Sequence, residues 1–168
     1  MKANQTKVLI VNAIIAALYV VITTVFAFMS FGSIQFRIAE MLNHLIVFDK
    51  KYFYGIVGGV ILANTIFMST SGLGWYDLVF GLGHTVSSLL IGFVVFRYLK
   101  TDTQKMIALA IIFSVMIFLV AIELLIVLEL PFWLSYAQTF TGEIVVMLVG
   151  IPVMQQLNKV INFKKQMN

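Results

Sequence analysis

Long apolar runs alternate along the chain with short polar breaks, at about 8–29, 34–48, 52–68, 77–96, 106–128 and 134–157. Most approach the roughly 20 apolar residues that a membrane-crossing helix needs. The second run is the exception: it is short, carries Arg37, Glu40, Asn43 and His44, and stops at Asp49-Lys50-Lys51. The third gives way to Ser69-Thr70-Ser71-Gly72-Leu73-Gly74, a loop by its Ser and Gly content. The fifth is the cleanest and ends at Glu129-Leu130-Pro131, and Pro152 is expected to bend the sixth. The pattern predicts an all-α integral membrane protein of six transmembrane helices, with no heptad array, linker or claimable internal repeat.

The basic residues give this array a direction. If all six runs cross, then Lys2 and Lys7, Lys50 and Lys51, Arg97, Lys100 and Lys105, and Lys159, Lys164 and Lys165 all fall on one side. The positive-inside rule places that side, with both termini, in the cytoplasm, and the parity supports the short second run as a crossing. Only Arg37 is left over. The first run is long for a signal-peptide core and has no clear cleavage site, so it is read as a retained helix.

Composition agrees with this reading. The chain is 61% hydrophobic and 11% charged, and its mean hydropathy is +1.04. Six spans use almost all of its 168 residues, which leaves a single membrane domain, 1–168, and no room for a soluble catalytic unit. The absence of Cys excludes thiolate nucleophiles, disulfides and Cys-ligated metals. A formal charge of +4 is explained by membrane orientation better than by nucleic acid, because the cations sit in small groups between apolar runs. No P-loop, H-E-x-x-H or G-x-S-x-G is present, so an enzyme is the weakest reading, and energy for uphill transport has to come from an ion gradient or another protein.

The remaining polar residues collect at one depth. With the topology above, Arg37, Glu40, Asn64, Asp77, Glu123 and Glu143 all lie in the outer half of the membrane. Their facing agrees. Ser33, Arg37, Glu40 and His44 step by helical spacing, as do Asp77, Gly81, His84 and Ser88, and Tyr136, Thr139 and Glu143. Ionisable groups inside a span are expensive and face a partner or cavity. Arg37, Glu40, Glu123 and Glu143 are therefore read as lining a common pocket, with Arg37 and Glu40 as i, i+3 neighbours. Asp77 and Glu129 fit a headgroup-level position equally well. His44 is read as a satisfied structural histidine, and His84 is open between the two roles.

One arginine among several carboxylates favours a cationic or donor-rich ligand, since a closed cavity cannot hold that many ionised acids without a cation or proton uptake. Trp75, Tyr76, Trp133 and Tyr136 suit an interfacial aromatic belt, with one or two placed to stack on a planar ligand. Gly55, Gly59 and Ala63, and separately Ala13 and Ala17, form small-residue stripes. They suit packing inside the subunit or, as the sharper alternative, a partner interface.

These residues resemble the QueT family of queuosine-precursor transporters, substrate-binding S components of energy-coupling factor (ECF) importers. The likeness is carried by Phe36-Arg37 with Glu40 and Leu42, Gly55 and Gly59, Ala63-Asn64, and Asp77 with Gly81, within a best-matching stretch from Phe31 to Thr85. Ala16-Ala17-Leu18-Tyr19 with Thr23 adds to it. Two positions depart: His84 stands where a small residue is expected, and no proline precedes Phe48.

The resemblance implies an ECF S-component-like bundle in the bacterial cytoplasmic membrane. It would capture a 7-deazaguanine such as preQ1, preQ0 or queuine on the outside and work with a transmembrane coupling protein and two ATPases. ATP would then be used by the partners, with no cofactor or metal on this chain, and Ala13 and Ala17 would pack on the coupling protein. Glu143 or Glu123 would read the donor edge of the base, Asn64 or Gln138 would supply amide contacts, and Arg37 with Glu40 would shape the wall. The competing readings are an S component for another small vitamin, a proton- or cation-coupled secondary transporter, and a membrane subunit that only anchors a partner.

Overall fold

The computed structural model describes residues 2–27 and 36–168, and every regular element among them is helical. The far end of the first apolar run, the start of the second at Ile34, and Ser33, Gln35 and Phe31 lie outside the described residues. Eight α-helices follow in order: α1 (Lys2–Val25), α2 (Leu45–Phe48), α3 (Phe53–Phe67), α4 (Tyr76–Val95), α5 (Asp102–Met116), α6 (Phe118–Leu128), α7 (Phe132–Ile161) and α8 (Phe163–Gln166). Short 3-10 segments, Ile38–His44, Lys50–Tyr52 and Phe96–Tyr98, lead into or out of them.

Among the described residues, four stretches are long and apolar enough to cross a membrane: Asn4–Val25, Tyr76–Tyr98, Asp102–Leu128 and Phe132–Ile161. The shortest has 22 residues, about 33 Å at 1.5 Å per residue, against a hydrocarbon thickness of about 30 Å. The third apolar run forms the 15-residue α3, about 22 Å long. The exteriors of the long helices are greasy, with Leu9, Ile14, Val21, Leu90, Ile111 and Val149 all exposed. The interior holds the polar groups, as expected where lipid is the solvent.

The second apolar run differs from its expected α-helix. It is a 3-10 helix over Ile38–His44 that passes into the four-residue α2. A 3-10 turn has three residues, so i and i+3 eclipse. Glu40 therefore stands over Asn43, whose Nδ2 donates to Glu40 Oε2, while His44 turns away toward α7. Gly150 of α7 permits the close approach, because a Cβ there would lie 2.8 Å from Met41 Cβ and 3.2 Å from His44 Cδ2.

Neighbouring helices pack in a ring: α1 on α3, α3 on α4, α4 on α5 and α6, and α5 and α6 on α7, with the 3-10 segment held between α1 and α7. The glycine stripe of α3 does serve packing within the chain. A Cβ on Gly59 would lie 2.7 Å from Tyr19 Cβ, and one on Gly55 2.7 Å from Asn12 Oδ1. Asn12 Oδ1 also accepts from Gly55 N at 2.7 Å, which satisfies an otherwise orphaned donor in the first turn of α3. Ala13 and Ala17 lie on the other side of α1 and are exposed.

Both termini lie at one end of the bundle. Lys7 Nζ donates to the carbonyls of Lys165 at 3.0 Å and Asn168 at 2.9 Å, and Lys51 Nζ donates to Met167 O at 2.8 Å. Tyr52 Oη donates to Phe163 O at 3.0 Å, and Phe163 stacks on Phe48 with ring centroids 5.5 Å apart. The grouping of basic residues expected from the charge pattern is thus physical for Lys7, Lys51 and Lys165.

Candidate functional site

The polar layer begins at the entry to the 3-10 segment. Arg37 is its N-cap residue, and its side chain folds over the first turn so that Nε lies 3.4 Å from Glu40 Oε1. Glu40 is fully buried while the Arg37 side chain keeps 14% exposure. Glu40 Oε1 also accepts from Tyr19 Oη at 3.2 Å, and Oε2 accepts from Asn43. Three elements, α1, the 3-10 turn and its cap, thus converge on one carboxylate. Such charge-assisted bonds are the strong ones, and they hold the geometry rigid.

From this hub the layer extends to the other helices. Arg37 is within electrostatic reach of Glu40, Tyr19, Asp77 and Glu143. Glu123 reaches Asp77 and Arg37, and Glu143 reaches Glu40 and Arg37. The candidates Arg37, Glu40, Asp77, Glu123 and Glu143, drawn from α4, α6, α7 and the 3-10 turn, are brought together. Asn64 of α3 joins through its Nδ2, which donates to Asp77 O at 2.8 Å. Gly81 makes room there: a Cβ on it would sit 2.5 Å from Asp77 Oδ1 and 2.8 Å from Asn64 Nδ2.

Within this layer the acids divide into two kinds. Glu40 is saturated. Glu123 and Glu143 are buried, yet none of their four carboxylate oxygens has a hydrogen-bond partner among the described residues. Native interiors pair nearly all such atoms, so buried acceptors of this kind call for a donor from outside the described residues. Asn43 Oδ1, His84 Nδ1 and Ser88 Oγ are likewise buried and unpartnered. The layer offers two unspent carboxylates and several neutral acceptors, and has Arg37 as its cation.

The two histidines take the same pose on different helices. His44 Nε2 lies 2.8 Å from Met147 O, and His84 Nε2 lies 3.0 Å from Phe113 O. A carbonyl only accepts, so each ring carries its proton on Nε2 and leaves Nδ1 as an acceptor. His44 ties the 3-10 turn to α7 through Nε2, but it is not fully satisfied as expected, because its Nδ1 is buried without a partner among the described residues. His84 ties α4 to α5, while its Nδ1 remains available. Together with the Tyr136 Oη bond to Val115 O at 3.3 Å, it loads carbonyls of the last turn of α5 with side-chain donors. The helix resets at Ile117 between α5 and α6, at the point where side chains enter the ladder.

The aromatic candidates separate from the layer. Trp75 is 57% and Trp133 77% exposed, on the outer faces at the starts of α4 and α7. Tyr76 stacks on Trp75 at 4.2 Å. Tyr136 and Gln138 are half-buried on α7, Tyr136 lying parallel to Phe132 at 6.0 Å. Glu129 is exposed and caps α6 in a left-handed conformation, φ 55°. Sequence reasoning passed over Tyr19 and Asn43 as site residues. Asn43 was visible as an i+3 neighbour of Glu40, and the 3-10 register, in which i and i+3 eclipse, sets it directly beside that carboxylate.

These features define a polytopic helical membrane protein with an interior polar layer. The chain belongs to the QueT transporter family, which it matches over residues 9–159; it is a membrane transporter and not an enzyme. It is 33% identical to the "Queuosine precursor transporter QueT" of Lactococcus lactis subsp. cremoris (strain MG1363), over 174 aligned positions that cover 98% of this chain and 100% of that protein. No solved structure matches the chain.

Proposed function

We propose that this protein is the substrate-capture subunit of an ECF-type importer for a queuosine precursor, a 7-deazaguanine such as preQ1, preQ0 or queuine. In this reading all six apolar runs cross the bacterial cytoplasmic membrane, both termini are cytoplasmic, and the polar layer opens outward. A coupling protein, meeting the exposed Ala13 and Ala17, and two ATPases complete the importer. The substrate class is supported by the full-length similarity to the Lactococcus lactis transporter.

The observation that carries the reading is the pair of buried carboxylates at Glu123 and Glu143, which have no hydrogen-bond partner among the described residues. A deazaguanine presents two adjacent N–H donors beside a carbonyl oxygen, so one carboxylate accepts from both donors while an amide or guanidinium donates to the carbonyl. Glu143 or Glu123 fills the first role. Arg37, Asn64 or Gln138 fills the second, with Asp77 and His84 beside them. Glu40 holds Arg37, and Trp75, Trp133 and Tyr136 border the outer approach.

Isothermal titration of the purified protein with preQ1 tests the site: Glu123→Gln combined with Glu143→Gln should abolish binding, and unchanged affinity would sink the assignment. Uptake of preQ1 in cells separates the mechanisms. Dependence on the ATPases supports the importer, whereas uptake that survives their loss and collapses with the proton gradient makes the acids relay groups of a secondary transporter.

A further inference from the structure

At the end of the bundle that carries both termini lies a groove of about 520 Å³, far from the polar layer. Its walls are Phe48, Phe93 and Phe96, and its rim carries Lys50, Arg97 and Lys105. Three elements frame it: the 46–51 segment, the end of α4 with its 3-10 turn, and the start of α5. Gly92 lets α5 close the floor, because a Cβ there would meet Leu109 Cδ1 at 2.9 Å.

The charges in the groove are unequal. Lys51 also lines it, but its Nζ is bonded to Met167 O. Asp49 is the one acid in the lining, and its Oδ1 accepts from Lys51 N at 2.8 Å, which uses it as a helix cap. Lys105 has only the loose contact with Asp102, at 3.7 Å. Lys50 Nζ lies over the Phe93 ring, 5.5 Å from its centre, a cation–π contact that sets the ammonium against the aromatic wall.

A cationic rim over an aromatic trough suits a molecule with an anionic head and an apolar tail. The depth agrees, since Tyr54 and Tyr98, 72% and 82% exposed, flank the groove as interfacial tyrosines do. Leu90 and Val94 of α4, three residues before Phe93 and Arg97, are also exposed. Basic pockets between helices at this level hold anionic lipid headgroups.

We propose that this groove is a binding site for an anionic phospholipid, its phosphate held by Lys50, Arg97 and Lys105 and its first acyl methylenes laid along Phe93 and Phe96. The site is independent of the transported substrate.

Native mass spectrometry of the full-length protein, titrated with phosphatidylglycerol or phosphatidylcholine, tests it. The wild type should retain phosphatidylglycerol in preference. Arg97→Gln with Lys105→Gln should weaken that retention by about fivefold per cation removed. Lys159→Gln with Lys164→Gln removes the same charge from exposed positions outside the groove and should leave retention unchanged. An unaltered melting temperature in both double variants shows that the fold is kept.

Equal loss in the two double variants overturns the site in favour of diffuse charge attraction. Full displacement of the lipid by millimolar inorganic phosphate overturns it in favour of a simple anion site. Unchanged retention in Arg97→Gln/Lys105→Gln overturns it and leaves the groove to an acidic protein segment.

Discussion

Glu40→Gln isolates the difference between an acid that holds the fold and an acid that waits for ligand. Glu40 accepts from Tyr19 and Asn43, pairs with Arg37 and is fully buried. An amide keeps the volume but turns one acceptor into a donor. Whichever way it lies, its NH2 faces at least one of these donors, and Arg37 loses its nearest counter-charge. Removing one partner of a buried ion pair costs roughly 3–5 kcal/mol. The 14% exposure of the Arg37 side chain lets water recover part of this, which leaves about 2–3 kcal/mol. In a chain of this size that lowers the melting temperature by roughly 5–10 °C.

Thermal unfolding of ligand-free protein in detergent, followed by circular dichroism, measures the effect. Glu143→Gln is the matched comparison: it removes a buried acid without a partner among the described residues, so its melting temperature should stay level or rise. Arg37→Met combined with Glu40→Leu should recover part of the Glu40→Gln loss, because an apolar pair does not leave a charge stranded. A Glu40→Gln protein that melts within a degree of wild type, or a Glu143→Gln protein that falls equally far, refutes the division into holding and waiting acids.

Other substitutions read neighbouring parts of the molecule. Asn12→Leu should cost about 1–3 kcal/mol in thermal unfolding, because Gly55 N–H is left buried without its acceptor. Gly81→Ala pushes a methyl into Asp77 and Asn64 and should weaken preQ1 binding in titration by about tenfold or more, through displacement of one or both side chains. Phe163→Ala removes the ring that packs on Phe48 and Tyr52. It should lower stability by about 3–5 kcal/mol and raise amide exchange in residues 162–168. Thr101→Ala deletes the capping box at the start of α5, for a loss of about 1 kcal/mol and no change in binding.

Much of this protein could be read from the order of its residues. Hydropathy alone identifies a helical membrane chain, because a bilayer leaves the backbone few alternatives. The i, i+3 spacing of Arg37 and Glu40 predicts their contact, which forms, and the cost of burying charge marks Glu40, Glu123 and Glu143, while Asp77, which fitted a headgroup-level position equally well, proves to be buried. The glycines of α3 are visible as a packing stripe, although their mates are Asn12, Ala16 and Tyr19 rather than Ala13 and Ala17. That pairing depends on the rotation of α1 about its own axis, which its weak amphipathic pattern does not specify.

Tertiary structure decided the rest. The second apolar run became a 3-10 helix, which put Asn43 rather than His44 beside Glu40. Local spacing cannot supply that register, because it is imposed by α1 and α7 closing on a short segment, with Gly150 permitting the approach. The same closure sorted the acids: Glu40, Glu123 and Glu143 are alike as buried ionisable residues in apolar runs, and only the packed bundle shows which has its donors and which do not. The chain's sequence determines that polar groups must gather inside, because lipid cannot solvate them. Which of them pair with one another, and which do not, follows from distances between helices that no single stretch of the chain contains.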